Sequence, residues 1–126
     1  MVQIVLIDYG VGNIGSLKRS FTKVGAEVLV SGDKNIIKNA DGLVLPGVGS
    51  FGPAMEKLAP LASTVLKEVE QGKPLMGICL GMQLYFTRGL EDGDFAGLNL
   101  IPGTVRKFPF KDLKIPQIGW NSLNIK

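Results

Sequence analysis

The sequence of 126 residues contains no histidine and only one cysteine, Cys79. A single cysteine cannot form a disulfide within the chain, and without histidine the usual ligand sets of zinc and iron sites cannot be assembled. We therefore expect neither a metal nor another cofactor. No apolar run approaches the ~20 residues of a membrane-spanning helix, and the N-terminus lacks a basic segment and a cleavage site. These absences predict a cytoplasmic protein without a membrane partner.

The distribution of charge gives no sign of nucleic-acid binding. The net charge is +3, but lysine and arginine alternate with acidic residues along most of the chain. A nucleic-acid-binding protein typically carries its basic residues as a patch or stripe. Only the segment after Thr104 is distinctly basic, with Asp112 as its one acidic residue. We therefore expect no nucleic acid as a partner.

The order of apolar and amphipathic segments predicts one α/β domain. Short apolar runs predict strands over residues 2–8, 27–30, 42–45 and 75–79. Helical spacing predicts helices over residues 14–24, 35–40 and 82–86, and a helical stretch from 52 to 72 that Pro60 interrupts. Beyond Arg88 the pattern favours strands around a Pro102-Gly103 turn. Regular alternation of buried strands and helices is typical of a mostly parallel sheet covered on both faces.

Cys79 lies in Gly77-Ile-Cys79-Leu-Gly81, between a predicted strand and a predicted helix. This pattern is typical of a nucleophile elbow, in which a tight bend holds the reactive side chain out of the sheet and the glycines leave room for the backbone to reverse. The alternative is a core cysteine flanked by packing glycines. The glycine-rich loop after the third predicted strand favours the elbow.

Pro46-Gly47-Val48-Gly49 follows the third predicted strand. Attack of a thiolate on a carbonyl creates an oxyanion, and backbone N–H groups of a glycine-rich loop can stabilise it. Taken alone, the segment is better explained as a plain turn between a strand and a helix. Together with the elbow it indicates acyl-transfer chemistry.

Four segments carry a resemblance to a known family: Asp8–Asn13, Pro46–Met55, Gly77–Gln83 and Gly119–Asn121. They are similar to the glutaminase subunit of imidazole glycerol phosphate synthase, which belongs to the class I glutamine amidotransferases. The resemblance implies a flavodoxin-like, doubly wound, mostly parallel sheet. It also implies hydrolysis of L-glutamine to glutamate and ammonia through a Cys thioester. The ammonia would pass to a (β/α)8-barrel cyclase subunit that makes imidazole glycerol phosphate in histidine biosynthesis.

The resemblance also implies roles for individual residues. Cys79 would be the nucleophile. The residues implied for the oxyanion hole are Gly47, Val48, Gly49 and Leu80. Those implied for substrate binding are Gly49, Gln83 and Glu91, which lies twelve residues beyond the cysteine. Those implied for the partner interface are Gln117, Trp120 and Asn121.

The sequence departs from the family pattern in three ways. Class I enzymes complete a catalytic triad with a His and a Glu near the C-terminus, whereas this chain has no histidine. We therefore expect residues 1–126 to be an amidotransferase domain, apparently truncated, that lacks the part with the triad His and Glu and is nearly inactive alone. In addition, Gln117 stands where the family usually has His, and Thr87 and Gly89 stand where acidic and serine residues are common. A paralogous subunit serving another ammonia acceptor stays open.

Two further interpretations compete with a glutaminase. Gly10-x-Gly12-x-x-Gly15 follows a strand and precedes Asp33, which is the pattern of a Rossmann-like nucleotide-binding module. Against it, the charge of Asp8 would repel a pyrophosphate at that strand end. An inactive scaffold is the other alternative, suggested by the missing base and the basic C-terminal segment, with Trp120 as part of a docking surface.

Overall fold

Strands and helices alternate through the first two thirds of the chain. The computed structural model describes residues 1–126, and its first seven elements are β1 (Gln3–Ile7), α1 (Ile14–Lys23), β2 (Glu27–Ser31), α2 (Lys34–Asn39), β3 (Gly42–Leu45), α3 (Phe51–Glu70) and β4 (Leu75–Gly77). The remaining elements are shorter: α4 (Leu80–Gln83), β5 (Phe86–Gly89), β6 (Phe95–Ala96) and β7 (Ile101–Val105). No helix is both long enough and apolar enough to span a membrane.

The main sheet has four strands in the order β2-β1-β3-β4. Each neighbouring pair is parallel. This confirms the predicted α/β fold, and the order is that of a flavodoxin-like sheet. In such a sheet the loops that follow β1, β3 and β4 all emerge at the same edge, where ligands usually bind. The elbow and the glycine-rich loop after β3 therefore lie on neighbouring strands.

The core lies between the central strands and α3. Val5 and Ile7 of β1, and Leu45 of β3, are completely or almost completely buried. They belong to one cluster with Leu58 and Val65 of α3. Continuous apolar runs fit β1 and β3 because a central parallel strand is covered on both faces.

The predicted interruption at Pro60 was wrong, because α3 is one helix of 20 residues with Pro60 inside it. An interior proline removes one backbone hydrogen bond and crowds the preceding turn, at a cost of about 3 kcal/mol. Burial outweighs that cost here. Ala54 and Leu58 before the proline, and Leu61 and Val65 after it, are all buried in the same core.

Two predictions for the second half of the chain, a helix over 82–86 and a turn at Pro102-Gly103, were also wrong. The helix predicted over 82–86 is the single turn α4, and Phe86 begins a strand instead. The chain leaves the helix because the amides of Leu98 and Leu100 donate to the carbonyl oxygens of Leu84 and Tyr85, at 2.8 and 2.7 Å. These contacts draw the segment toward a second, three-stranded sheet in the order β6-β5-β7.

The predicted Pro102-Gly103 turn lies instead within strand β7. This strand pairs only with β5, so it is an edge strand. A proline is tolerated at such a position because its missing N–H can face away from the partner strand.

Lys73 joins α2, α3 and the start of β4. Its ammonium donates to the carbonyl oxygens of Ile37 at 3.0 Å and Lys38 at 2.6 Å, and it pairs with Glu68 at 2.8 Å. The two side chains of this ion pair are only 12% and 10% exposed. The ammonium of Lys73 thus pairs with a buried carboxylate and donates hydrogen bonds to two carbonyl groups at the C-terminal end of α2.

We predict that Lys73→Met lowers the free energy of unfolding by about 2–4 kcal/mol, because it leaves the Glu68 carboxylate buried without a partner. Urea denaturation measures the change. Lys67→Met is the matched control, since Lys67 is exposed on α3, the helix that carries Glu68, and it should cost less than about 1 kcal/mol. Equal losses in the two variants would contradict this role of Lys73.

Candidate active site

Cys79 occupies a sharp bend directly after β4. Its backbone angles are φ 56° and ψ −118°, a combination that residues other than glycine adopt rarely and at a cost. The side chain is exposed, and it is the only thiol of the chain. The residue predicted as the nucleophile is therefore held out of the sheet rather than packed in the core.

The flanking glycines are required by their neighbours. A Cβ on Gly77 would lie 2.5 Å from the Cα of Met82, and one on Gly81 would collide with the carbonyl oxygen of Leu45. Both approaches are closer than real Cβ atoms tolerate. Glycine at these two positions lets the backbone at Gly77 pack against α4 and the backbone at Gly81 pack against the end of β3. This explains the spacing of the motif around Cys79.

The predicted oxyanion loop contacts the elbow directly. A Cβ on Gly47 would lie 2.5 Å from the amide nitrogen of Gly81 and 2.9 Å from the Cβ of Leu80. The amides of Gly47, Val48 and Gly49 donate to no backbone carbonyl. Since Leu80 is the first residue of α4, its N–H also has no acceptor within the helix. Of the residues predicted for the oxyanion hole, Gly47 and Leu80 thus lie at the bend that carries Cys79, whereas Val48 and Gly49 line a different cavity.

The loop after β1 supports the oxyanion loop. A Cβ on Gly12 would lie 2.7 Å from the Cβ of Pro46 and 3.1 Å from the nitrogen of Gly47. The Gly10–Gly15 segment therefore packs against the protein's own chain. Gly12 makes room for Pro46, which fills the space where a pyrophosphate would approach.

Tyr9 anchors the same loop, and sequence reasoning missed it. The hydroxyl of Tyr9 donates to the carbonyl oxygen of Pro46, a residue that is itself fully buried. Burial raises the pKa of the Tyr9 hydroxyl from its ordinary value of 10.0 to about 12. The position of Tyr9 directly after Asp8 at a strand end was the available signal.

Gln83 and Glu91, predicted to bind substrate, line one cavity of about 470 Å³. Both side chains are half-buried. The other residues that line this cavity are Val105, Arg106, Phe108, Ile115, Pro116 and Gln117. Cys79 does not line it, but the amide of Gln83 donates to the carbonyl oxygen of Cys79 at 3.2 Å. The backbone of Gln83, which lines the cavity, therefore lies one helical turn after that of Cys79.

The residues predicted for the partner interface lie in two places. Gln117 lines the cavity with Gln83 and Glu91, which brings it nearer to the predicted substrate site than expected. Trp120 and Asn121 are exposed, and Trp120 has no contact that buries it. No group of three or more Cys, Asp and Glu side chains converges so as to hold a metal ion.

Comparison with known proteins matches residues 5–121 to the family model described as class I glutamine amidotransferase. The chain belongs to this family. A crystal structure described as a glutamine amidotransferase has the same fold, with a TM-score of 0.70 and 20% sequence identity over 85% of this chain and 58% of the other.

Curated relatives are more similar in sequence. Imidazole glycerol phosphate synthase subunit HisH of Methanosarcina mazei is 45% identical over 126 residues, which is 100% of this chain and 62% of the relative. The subunit of the same name from Methanothermobacter thermautotrophicus is 48% identical over 122 residues, 97% of this chain and 61% of the relative. The chain thus spans less than two thirds of the length of these relatives.

We predict that Tyr9→Phe lowers the free energy of unfolding by about 1–2 kcal/mol at pH 7, because the buried carbonyl of Pro46 loses its donor. The pH dependence follows from the raised pKa. The folded state keeps a proton that the unfolded state releases, so this stabilisation is complete below pH 10.0 and is lost as the pH rises toward 12.

Urea denaturation between neutral pH and pH 11 measures both effects. The variant should lose less stability with rising pH than the wild type does. Tyr85 is half-buried, and its pKa is also raised to about 12, so it accounts for part of the remaining slope. Identical slopes in Tyr9→Phe and the wild type would contradict the assignment.

Proposed function

We propose that the protein is the glutaminase subunit of an imidazole glycerol phosphate synthase and acts in histidine biosynthesis. The observation that carries the proposal is the contact of Gly47, whose amide donates to no backbone carbonyl, with Leu80 and Gly81 in the elbow of Cys79. Identities of 45% and 48% to subunits of that name support the particular synthase. The substrate is then L-glutamine, and the products are glutamate and ammonia.

In the first step, the thiolate of Cys79 attacks the side-chain amide carbon of glutamine. The carbonyl oxygen becomes an oxyanion, and we propose that the N–H groups of Gly47, Val48, Gly49 and Leu80 stabilise it, since the three loop amides donate to no backbone carbonyl. Collapse of this intermediate breaks the C–N bond, and the nitrogen leaves as ammonia after it gains a proton. A thioester on Cys79 remains, and water hydrolyses it to glutamate.

The proton transfers require a general base that is not a histidine of these 126 residues, because the sequence has none. We therefore expect the chain by itself to hydrolyse glutamine slowly. We further propose a cytoplasmic heterodimer in which a (β/α)8-barrel cyclase subunit accepts the ammonia. The exposed side chains of Trp120 and Asn121 are available for such docking.

A nucleotide-binding module is the weaker alternative. The space beside Gly12, where a pyrophosphate would approach the backbone, is filled by Pro46 and Gly47. Asp8 is also turned toward this loop, because its carboxylate accepts from the amide of Gly10 at 3.3 Å. A charged acceptor at this point disfavours an anionic ligand.

We predict that Cys79→Ala abolishes glutamine hydrolysis, because no other residue of the chain can form the thioester. The measurement is glutamate formed from L-glutamine by the protein combined with a cyclase subunit. Ser63→Ala is the control, since Ser63 is exposed on α3 away from the elbow, and it should retain full activity.

Undiminished turnover in Cys79→Ala would end the nucleophile assignment. Stable association with the cyclase subunit while the wild type forms no glutamate would favour the inactive scaffold. Retention of NAD or FMN during purification would favour the nucleotide-binding module.

A further inference from the structure

The predicted oxyanion loop, residues 46–49, is held by a single hydrogen bond. The hydroxyl of Tyr9 donates to the carbonyl oxygen of Pro46, and no other backbone or side-chain hydrogen bond involves a residue of this loop. Gly47 and Gly49 give the loop more conformational freedom than other residues would. The shape of the loop therefore depends on its contacts with neighbouring segments.

The bond from Tyr9 fixes the orientation of the first peptide group of the loop. The peptide bond between Pro46 and Gly47 is trans, because the one cis peptide bond of the chain is Ile115-Pro116. In a planar trans peptide the carbonyl oxygen and the N–H point in opposite directions. The carbonyl of Pro46 points toward Tyr9, so the amide of Gly47 points away from it. Rotation of this peptide would break the hydrogen bond and redirect the amide together.

The anchor itself is rigid and shielded from water. Tyr9 lies two residues after the end of β1, and it belongs to the same buried cluster as the central strands. Pro46 is fully buried as well. Gly12 packs against Pro46 from the turn that follows Tyr9, and it leaves no space for another side chain. Water therefore cannot readily replace the tyrosine hydroxyl as the donor to this carbonyl.

We propose that Tyr9 is a positioning residue for the reaction at Cys79, whose hydroxyl holds the oxyanion loop in the conformation that stabilises the tetrahedral intermediate. This inference rests on the proposed glutaminase function. Tyr9 acts through Pro46 and not by contact with the substrate. Loss of its hydroxyl lets the loop adopt other conformations, while the bend that carries Cys79 stays in place.

Tyr85, the other tyrosine of the chain, makes the same kind of bond elsewhere. Its hydroxyl donates to the carbonyl oxygen of Leu75 at 2.9 Å. Leu75 is the first residue of β4, so this bond lies at the end of the strand opposite to the elbow. Burial raises the pKa of both tyrosine hydroxyls to about 12. The two phenylalanine variants thus remove equivalent groups, of which only one is bonded to the oxyanion loop.

The experiment measures formation of an oxyanion at Cys79 without requiring turnover. The probe is a chloroketone analogue of L-glutamine. The thiolate adds to the ketone carbon, the electron pair of the C=O bond moves to oxygen, and sulfur then displaces chloride from the neighbouring carbon, which restores the ketone. Saturation kinetics give the maximal rate constant and the half-saturating concentration separately. Each variant is measured as the full chain, alone and with a cyclase subunit present.

Iodoacetamide serves as the reference reagent. It alkylates Cys79, the only thiol of the chain, without forming an oxyanion, so its rate reports the reactivity of the thiolate itself. Circular dichroism establishes that each variant is folded. If Tyr9→Phe is partly unfolded, sucrose is added to all samples until its spectrum matches that of the wild type.

We predict that Tyr9→Phe lowers the maximal rate constant for the chloroketone roughly tenfold and leaves the half-saturating concentration and the iodoacetamide rate unchanged. This effect is smaller than the loss of about 10²–10³-fold on removal of an oxyanion donor, because the loop amides are displaced and not deleted. Tyr85→Phe should leave all three quantities unchanged, although it loses a comparable hydrogen bond.

The outcomes separate the role of Tyr9 from the proposed function. Equal maximal rate constants in Tyr9→Phe and the wild type would overturn the positioning role and leave the glutaminase proposal standing. Equal losses in Tyr9→Phe and Tyr85→Phe, or a matching fall in the iodoacetamide rate, would also overturn it, because the effect would then not be specific to the oxyanion loop. A wild type that iodoacetamide modifies and the chloroketone does not, with or without the cyclase subunit, would overturn both.

Discussion

The arrangement of this site depends on one close contact between two backbones. The loop after β3 and the turn after β4 meet where Gly47 lies against Leu80 and Gly81, at distances that exclude any side chain. Because β3 and β4 are parallel neighbours, both segments emerge at the same edge of the sheet. The contact places Gly47, whose amide is free, against the turn that carries Cys79, and Tyr9 anchors the same loop through Pro46.

Much of this arrangement could be predicted from sequence because its causes are local. Apolar runs over β1 and β3 are long enough to identify buried parallel strands, and the family was recognisable from its glycine motifs. Glycine is informative at Gly77 and Gly81 because a Cβ there would meet backbone atoms that cannot move away. The glycines of the motif are thus a consequence of a steric requirement.

The errors arose where tertiary contacts override local preference. Pro60 ends many helices, but here both halves of α3 bury the same apolar face. Phe86 continues a helical pattern, yet hydrogen bonds from residues 98–101 draw it into a strand. The position of Arg106 beside the same cavity as Glu91 was missed for the same reason, since the two residues are brought together through the register of β5 and β7. Nothing in the sequence around either residue specifies that pairing.

The central claim is that Cys79 is a nucleophile positioned to receive the side-chain amide of glutamine. The most direct measurement is reaction of the chain with a chloroketone analogue of glutamine, followed by peptide mapping by mass spectrometry. The account predicts a single adduct on Cys79 whose formation slows as L-glutamine is added. Labelling that L-glutamine does not slow, or a chain that iodoacetamide modifies and the analogue does not, would contradict it.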